Sequence, residues 1–283
     1  MRIVALIENA EGAVGCAAAH GLSLYIETAR HRLLSDLGPS GRALENAERL
    51  GVDLRSVDTV ILSHGHYDHA GGILPFAEIN PRAAVYMQKS ALGAYYADDG
   101  KQAGGQRYRY IGIDSEIAAL PQLRLLSGDR VLDGELSVFV MGRREGSFPF
   151  SNARLKQKRG CVFVQDRFLH EQFLVIREGG LRVLVSGCAH NGILNILAEF
   201  DRKYGGAPDA VVSGFHLMKK TDYTEDELEQ IRGLARRLTA YDTAFYTCHC
   251  TGLPAFAAMK EIMGGQLTYV STGSEILLPP REQ

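Results

Sequence analysis

The sequence lacks any long apolar run, any excess of charge of one sign and any even set of cysteines. No stretch approaches the roughly 20 uninterrupted apolar residues that a membrane-spanning helix needs. The N-terminal run Ile3-Val4-Ala5-Leu6-Ile7 stops at Glu8, which is too short for a signal peptide and reads as a strand. The five cysteines (Cys16, Cys161, Cys188, Cys248 and Cys250) are odd in number and irregular in spacing, so they do not form a disulfide framework, and free thiols suit a reducing compartment. A net charge of −2 leaves no basic field for nucleic acid, and the basic patches, Arg143-Arg144 and Arg154 to Arg159, are short. There is no internal repeat, low-complexity tract or Pro/Ser-rich linker. These absences predict one soluble, cytoplasmic domain spanning residues 1–283 that acts on a small molecule, with neither membrane nor nucleic acid as partner.

What is present is a run of strands followed by strands mixed with helices. Ser23 to Glu27 and Arg32 to Ser35 read as short strands, and Gly41 to Leu50 as a helix with Leu44, Ala47 and Leu50 on one face. Asp58 to Ser63 has the continuous apolar centre of a strand buried on both faces. The Gly-, Tyr- and charge-rich segment around 93–110 reads as a surface insertion that suits a lid or a contact between copies of the chain. Gly104-Gly105 gives it flexibility. Leu174 to Arg177 and Leu181 to Ser186 are strands joined by a Glu178-Gly179-Gly180 turn. Ile193 to Tyr204 is a helix and Ala210 to Ser213 a strand. Thr224-Glu225-Asp226-Glu227 is a capping box ahead of another helix, and Thr243 to Thr247 a last strong strand. Two rounds of strands flanked by helices predict two sheets packed face to face between helical layers.

The chemistry concentrates at strand ends. Ser63-His64-Gly65-His66-Tyr67-Asp68-His69-Ala70-Gly71-Gly72 places four ligand-type side chains within six positions, directly after a buried strand. His64 and His66 alternate and can face one way from an extended segment. Asp68 and His69 follow where the chain turns into a helix and can address a second point nearby. Imidazole with carboxylate suits zinc, with manganese or iron(II) as alternatives, better than calcium. Gly187-Cys188-Ala189-His190 and Thr247-Cys248-His249-Cys250 end two further strands, making His190 and His249 the candidate closing ligands. A lone cysteine at a strand end is more often packed than ligating, and Cys188, Cys248 and Cys250 are read so. His216, after Gly214-Phe215, is expected at the mouth of the site as ligand, acid or substrate contact. Asp36 and Glu171 are candidate carboxylate partners for ligand histidines, and His170 a residue behind the ligands or on the surface. His20 and His31 lack sequence partners and read as surface residues.

His64-Gly65-His66-Tyr67-Asp68-His69 resembles the His-x-His-x-Asp-His signature of the metallo-β-lactamase superfamily. Glu171-Gln172, Gly187 to Gly192, Gly214 to Leu217 and His249 to Gly252 resemble one branch of it, the 7,8-dihydropterin-6-methyl-4-(β-D-ribofuranosyl)aminobenzene-5′-phosphate synthases. Asn9 and His20 to Ser23 are similar to that branch's opening segment. The resemblance implies an α+β fold, a four-layer αββα sandwich of two mixed sheets flanked by helices. It implies one or two zinc ions, with His64, His66 and His190 holding one and Asp68, His69 and His249 the other; from their positions, Asp68 and His216 are read as the catalytic groups. The chain departs from the branch at Leu37, Ser213 and His170, where Thr, Gly and an acidic residue are usual.

Two activities share that shell. One is hydrolysis of a small ester, thioester or phosphoester by hydroxide formed from water whose pKa the metal lowers from 15.7 to about 7. The other is a transferase reaction joining a pterin methyl diphosphate to an arylamine ribose phosphate. For the second, Arg154, Lys156, Lys158 and Arg159 are candidate phosphate contacts, although a solvated loop is the plainer reading of that stretch.

Overall fold

The computed structural model describes residues 1–100, 107–144, 146 and 148–281. Two seven-stranded mixed sheets face each other. In the first, the spatial order is Glu275–Leu277, Arg2–Ile7, Ser23–Glu27, Arg32–Ser35, Thr59–Ile61, Ala84–Gln88 and Leu123–Leu126. Pairings are antiparallel as far as Arg32–Ser35 and parallel beyond it. The second sheet runs Leu267–Tyr269, Ala244–Thr247, Ala210–Ser213, Leu181–Ser186, Phe173–Glu178, Leu136–Phe139 and Arg130–Val131. There the order is reversed: parallel as far as Leu181–Ser186, then antiparallel.

The layers follow from the two-residue period of a strand. Leu33 and Ile26 point inward and meet Val183, Val185 and Val212 of the opposite sheet. Their neighbours Leu34, Val60 and Val85 point outward, against Ala43 and Ala47 of helix Arg42–Arg49 and Phe76 of helix Ile73–Ile79. Across the molecule, Leu184, Val211 and Phe245 meet helices Ile193–Tyr204, Glu225–Leu238 and Leu253–Met263 through Phe200, Ile231 and Met259. The result is the αββα sandwich, and burial on both faces is why the central strands are apolar throughout. The capping box forms as expected: Glu227 N–H donates to the Thr224 hydroxyl at 3.3 Å and Thr224 N–H to the Glu227 carboxylate at 2.8 Å. Among the described residues no helix is long and apolar enough to cross a membrane.

The segment around 93–110 carries two strands, Tyr95–Asp98 and Tyr108–Tyr110, in a four-stranded sheet with Leu155–Arg159 and Val162–Gln165. Tyr95 and Ala97 are buried there with Ile111, Leu155 and Phe168. Gly104-Gly105 lies outside the described residues. The strand expected over 58–63 is shorter, Thr59–Ile61, because the Ser63 N–H leaves the ladder for the Asp36 carboxylate at 2.7 Å.

His31 is not the unpartnered surface residue its sequence suggested. Its Nδ1 lies 3.0 Å from Asp58 and its Nε2 2.6 Å from Asp133, so the ring ties the entrances of two strands from opposite sheets. Burial disfavours the imidazolium, but the two carboxylate bonds outweigh burial and raise its pKa above 6.5. With the folded value raised, the stabilisation is complete below the unfolded pKa and is lost as pH rises through the folded value. The urea-midpoint deficit of His31→Gln should therefore be larger at pH 5.5 than at pH 9. Equal deficits at the two pH values would contradict this.

Candidate metal centre

Both sheets turn from antiparallel to parallel near their centres, and the chemistry gathers at the carboxyl ends of the parallel strands, where ligand sites in such sheets lie. Arg32–Ser35 delivers Asp36. Thr59–Ile61 delivers the segment from Ser63 to His69. Leu181–Ser186, Ala210–Ser213 and Ala244–Thr247 deliver Cys188 with His190, His216, and His249 with Cys250. The backbone is forced here. Asp36, Ala189, His216 and His249 all have positive φ, between 47° and 61°, a conformation that costs a non-glycine residue about 1–3 kcal/mol. Two glycines make the approach of chains possible. A Cβ on Gly65 would sit 2.5 Å from the Ala91 carbonyl, and one on Gly187 2.2 Å from the Ser63 hydroxyl.

Four histidines have their Nδ1 committed to an oxygen. His69 Nδ1 lies 2.6 Å from Asp36 Oδ2, and Ser63 Oγ–H donates to the same atom at 2.6 Å while lying 2.9 Å from His64 Nδ1. One buried carboxylate thus orients two rings, one of them through a hydroxyl. His190 Nδ1 lies 2.9 Å from Asn152 Oδ1, and His249 Nδ1 2.8 Å from Asn9 Oδ1. An Nδ1–H held by an oxygen leaves a lone pair on Nε2. Those lone pairs face one another: His64 and His190 Nε2 are 3.3 Å apart, His69 and His249 Nε2 3.2 Å apart. His66 Nε2 is buried with no partner. Buried acceptors that converge in this way suit a cation between them. The donor set fits a divalent metal.

His64, His66 and His190 offer atoms within 4.8 Å of one another. Asp68 Oδ2 lies 3.5 Å from His249 Nε2 and 3.9 Å from His69 Nε2. The six expected ligands therefore assemble as two adjoining clusters. Burial, reinforced by neighbouring imidazoles, drives His64 and His190 well below the ordinary histidine range and His66 to about 3, so their lone pairs are free at neutral pH. Burial opposes ionisation of Asp68, but the neighbouring His69 and His249 rings hold it well below the usual carboxylate range. Burial also opposes charge on His69, yet Asp36 and Asp68 push its pKa up to about 9. Metal binding at that half competes with protonation of His69.

The surrounding groups sort differently from expectation. Glu171 accepts from the backbone N–H groups of His190 and Asn191, at 2.7 and 2.9 Å, rather than from a ring. His170 is fully buried: its Nδ1 accepts from Gly65 N–H at 2.9 Å and its Nε2 donates to Asp166 at 3.0 Å, which anchors the loop between His64 and His66. His20 is not an isolated surface ring, since its Nε2 lies 3.4 Å from Asp68 Oδ2 and its ring centroid 5.1 Å from that of His249. His216 borders the site with a buried, unpartnered Nδ1 and its ring centroid 4.1 Å from that of His190. Sequence reasoning missed Asn152 and Glu8, whose carboxylate accepts from the His249 N–H.

The site opens into a cavity of about 470 Å³. Ala97, Ile111, Leu155 and Met218 form its apolar wall, and Arg109, Arg154, Lys219 and Lys220 its basic rim. Of the basic side chains from Arg154 to Arg159, Arg154 alone lines it among the described residues. Lys156 is bonded to Gln165, and Lys158 lies over the Phe163 ring on the small sheet.

Residues 18–144 match the family model described as the metallo-beta-lactamase superfamily. A curated relative from Methanocaldococcus jannaschii, an uncharacterized protein, is 27% identical over 252 residues, covering 87% of this chain and 89% of its own length. A second relative from that organism is the 7,8-dihydropterin-6-methyl-4-(β-D-ribofuranosyl)-aminobenzene-5′-phosphate synthase. It is 27% identical over 256 residues, covering 83% of this chain and 82% of its own. A crystal structure of a metal-dependent hydrolase of the beta-lactamase superfamily superposes with a TM-score of 0.80 at 28% identity, covering 98% of this chain and 99% of that one. The resemblance to the metallo-β-lactamase superfamily holds in both sequence and fold, and the chain has the metallo-β-lactamase fold, that of metal-dependent hydrolases.

Proposed function

Starting from that fold, we propose that the protein is a metal-dependent hydrolase of a small anionic ester, thioester or phosphoester, with zinc held by His64, His66 and His190 and a second ion by Asp68, His69 and His249. The observation that carries this is the convergence of bare Nε2 atoms, with the unpartnered His66 Nε2 among them, beside an open cavity. A divalent ion bound there supplies Lewis acidity and acidifies water to a pKa of about 7.

The chain's own groups do the rest. Asp68, ionised and at the cavity wall, accepts the proton of an attacking water. His216, whose ring lines the cavity, is placed to hand a proton to the leaving group. Ile111, Leu155 and Met218 exclude bulk water. The rim favours an anion: Arg109 and Arg154 share the single carboxylate of Asp99, Lys219 pairs with Glu227, and Lys220 has no carboxylate partner among the described residues. The relative named as a pterin-linked synthase favours a second reading, in which the same rim holds the phosphate of an arylamine ribose phosphate during its condensation with a pterin methyl diphosphate.

The test is to incubate zinc- and manganese-loaded protein, with a chelated control, with phosphodiesters, thioesters and lactones, and separately with the pterin and arylamine pair. Chelator-sensitive hydrolysis supports the first reading and a coupled product the second; neither outcome with fully loaded protein refutes both. For whichever phosphorylated substrate turns over, Arg154→Ala with Lys220→Ala should raise KM about tenfold or more with little change in kcat, because rim charges act on ground state and transition state alike. A loss confined to kcat would contradict the rim's role.

A further inference from the structure

We infer that Cys188 is a metal ligand: its thiolate closes the half of the centre built by Asp68, His69 and His249, which leaves the three-histidine half with the open position. The inference rests on the metal-binding part of the reading above and deepens it.

The spacing of donors carries the argument. Donors held about 2.0–2.3 Å from one tetrahedral ion lie about 3.3–3.7 Å apart. Cys188 Sγ is 3.2 Å from His69 Nε2, which is 3.2 Å from His249 Nε2, which is 3.5 Å from Asp68 Oδ2. Cys188 Sγ lies within 4.8 Å of donors in both halves, His249 in one and His64 and His190 in the other, and its contact at hydrogen-bond distance with His69 places it in the first. The spacings of these four donors, which are of three chemical kinds, are close to those of one shell. The thiol faces an imidazole nitrogen whose other ring nitrogen is already taken by Asp36, a contact that an S–H···N bond fills in the absence of metal and a shared ion fills in its presence.

Cys250, the neighbouring thiol, is occupied otherwise. Its sulfur accepts from His216 N–H at 3.3 Å and donates to the Cys188 carbonyl at 3.5 Å, so it braces the two loops. As the metal–sulfur bond forms, the Cys188 S–H proton leaves to solvent. Four protein donors fill a tetrahedral shell, as in closed zinc sites, while three leave a place for water or substrate. His64, His66 and His190 therefore make the position at which substrate is engaged, and the thiolate half holds its neighbour in place. Sulfur also biases that half toward zinc or cobalt over manganese.

The experiment is X-ray absorption on the wild-type protein loaded with zinc, together with the electronic spectrum of the cobalt(II) form. A sulfur scatterer at about 2.3 Å beside nitrogen and oxygen at about 2.0–2.1 Å is expected, with a strong near-ultraviolet thiolate-to-cobalt band. Both should disappear in Cys188→Ser and persist in Cys250→Ser, and Cys188→Ser should bind its second equivalent of metal about tenfold or more weakly. Loaded wild-type protein with only nitrogen and oxygen scatterers overturns the inference while leaving the hydrolase reading standing. A sulfur signal that survives in Cys188→Ser and vanishes in Cys250→Ser overturns it as well. If Cys188→Ser fails to fold, the wild-type spectra and Cys250→Ser still decide. Protein that binds no metal at all sinks this inference and the proposed function together.

Discussion

Replacing His66 with alanine is expected to cut metal-dependent turnover by about 10³-fold or more, since a lost metal forfeits several kcal/mol of transition-state stabilisation. The fold should survive. His66 leaves an extended segment after Thr59–Ile61, caps the short helix Tyr67–Ala70 with its backbone alone and uses no side-chain bond to do so. Its Nε2 is buried without a partner in the metal-free chain, a defect of about 1–3 kcal/mol that truncation removes. The methylene volume lost works the other way. The metal-free variant should therefore unfold within about 1 kcal/mol of the metal-free wild type, while the stabilisation that zinc confers on the wild type disappears. Chelator titration followed by urea melts with and without zinc measures both effects. Full turnover in chelator-treated His66→Ala would sink the catalytic assignment.

The histidine run could be located from sequence because its position is dictated locally: a strand with an apolar centre must end, and the residues that follow lie at its carboxyl edge. The same holds for His190 after Leu181–Ser186 and His249 after Ala244–Thr247. Asp36, directly after a strand, was legible as a partner of His69, but most of the other groups that hold the ligand histidines were not. Asn9, Glu8, His20 and Asn152 come from loops or a single 3-10 turn, with no periodicity to announce a direction, and they meet the ligand histidines, at the ring or, for Glu8, at the backbone N–H, across separations of up to 241 residues. His31 shows the same limit, since its carboxylates are 27 and 102 residues away. The basic stretch from Arg154 to Arg159 misled for another reason. Strand alternation splits it, and the small sheet carries most of it away from the cavity. Tyr95 and Ala97 were hidden because their neighbours are polar. Their burial depends on pairing with Leu155–Arg159, which local composition does not encode.

Asp36 is where a single oxygen-to-nitrogen exchange should do the most damage for the least change in shape. Its carboxylate takes three bonds, from Ser63 N–H, Ser63 Oγ–H and His69 Nδ1–H, and through the Ser63 hydroxyl it also fixes the tautomer of His64. Asparagine can keep its oxygen toward Ser63 N–H, but its amide N–H groups then face Ser63 Oγ and His69 Nδ1. Two donors cannot share a bond, so His69 must move its proton to Nε2, the atom that faces His249 and the metal. The hydroxyl of Ser63 turns as well, and His64 loses its fixed orientation. Metal affinity should fall about 10- to 100-fold, the range observed when partners behind metal ligands are removed. The overall fold remains, because every backbone donor keeps an acceptor. Asp36→Ala should be worse for stability, by about 3–5 kcal/mol, since it strands buried partners outright. Competition against a chelator of known affinity, run beside a urea melt, separates the two variants. An Asp36→Asn protein that binds zinc as tightly as the wild type would show that the tautomer of His69 is set by something other than this carboxylate.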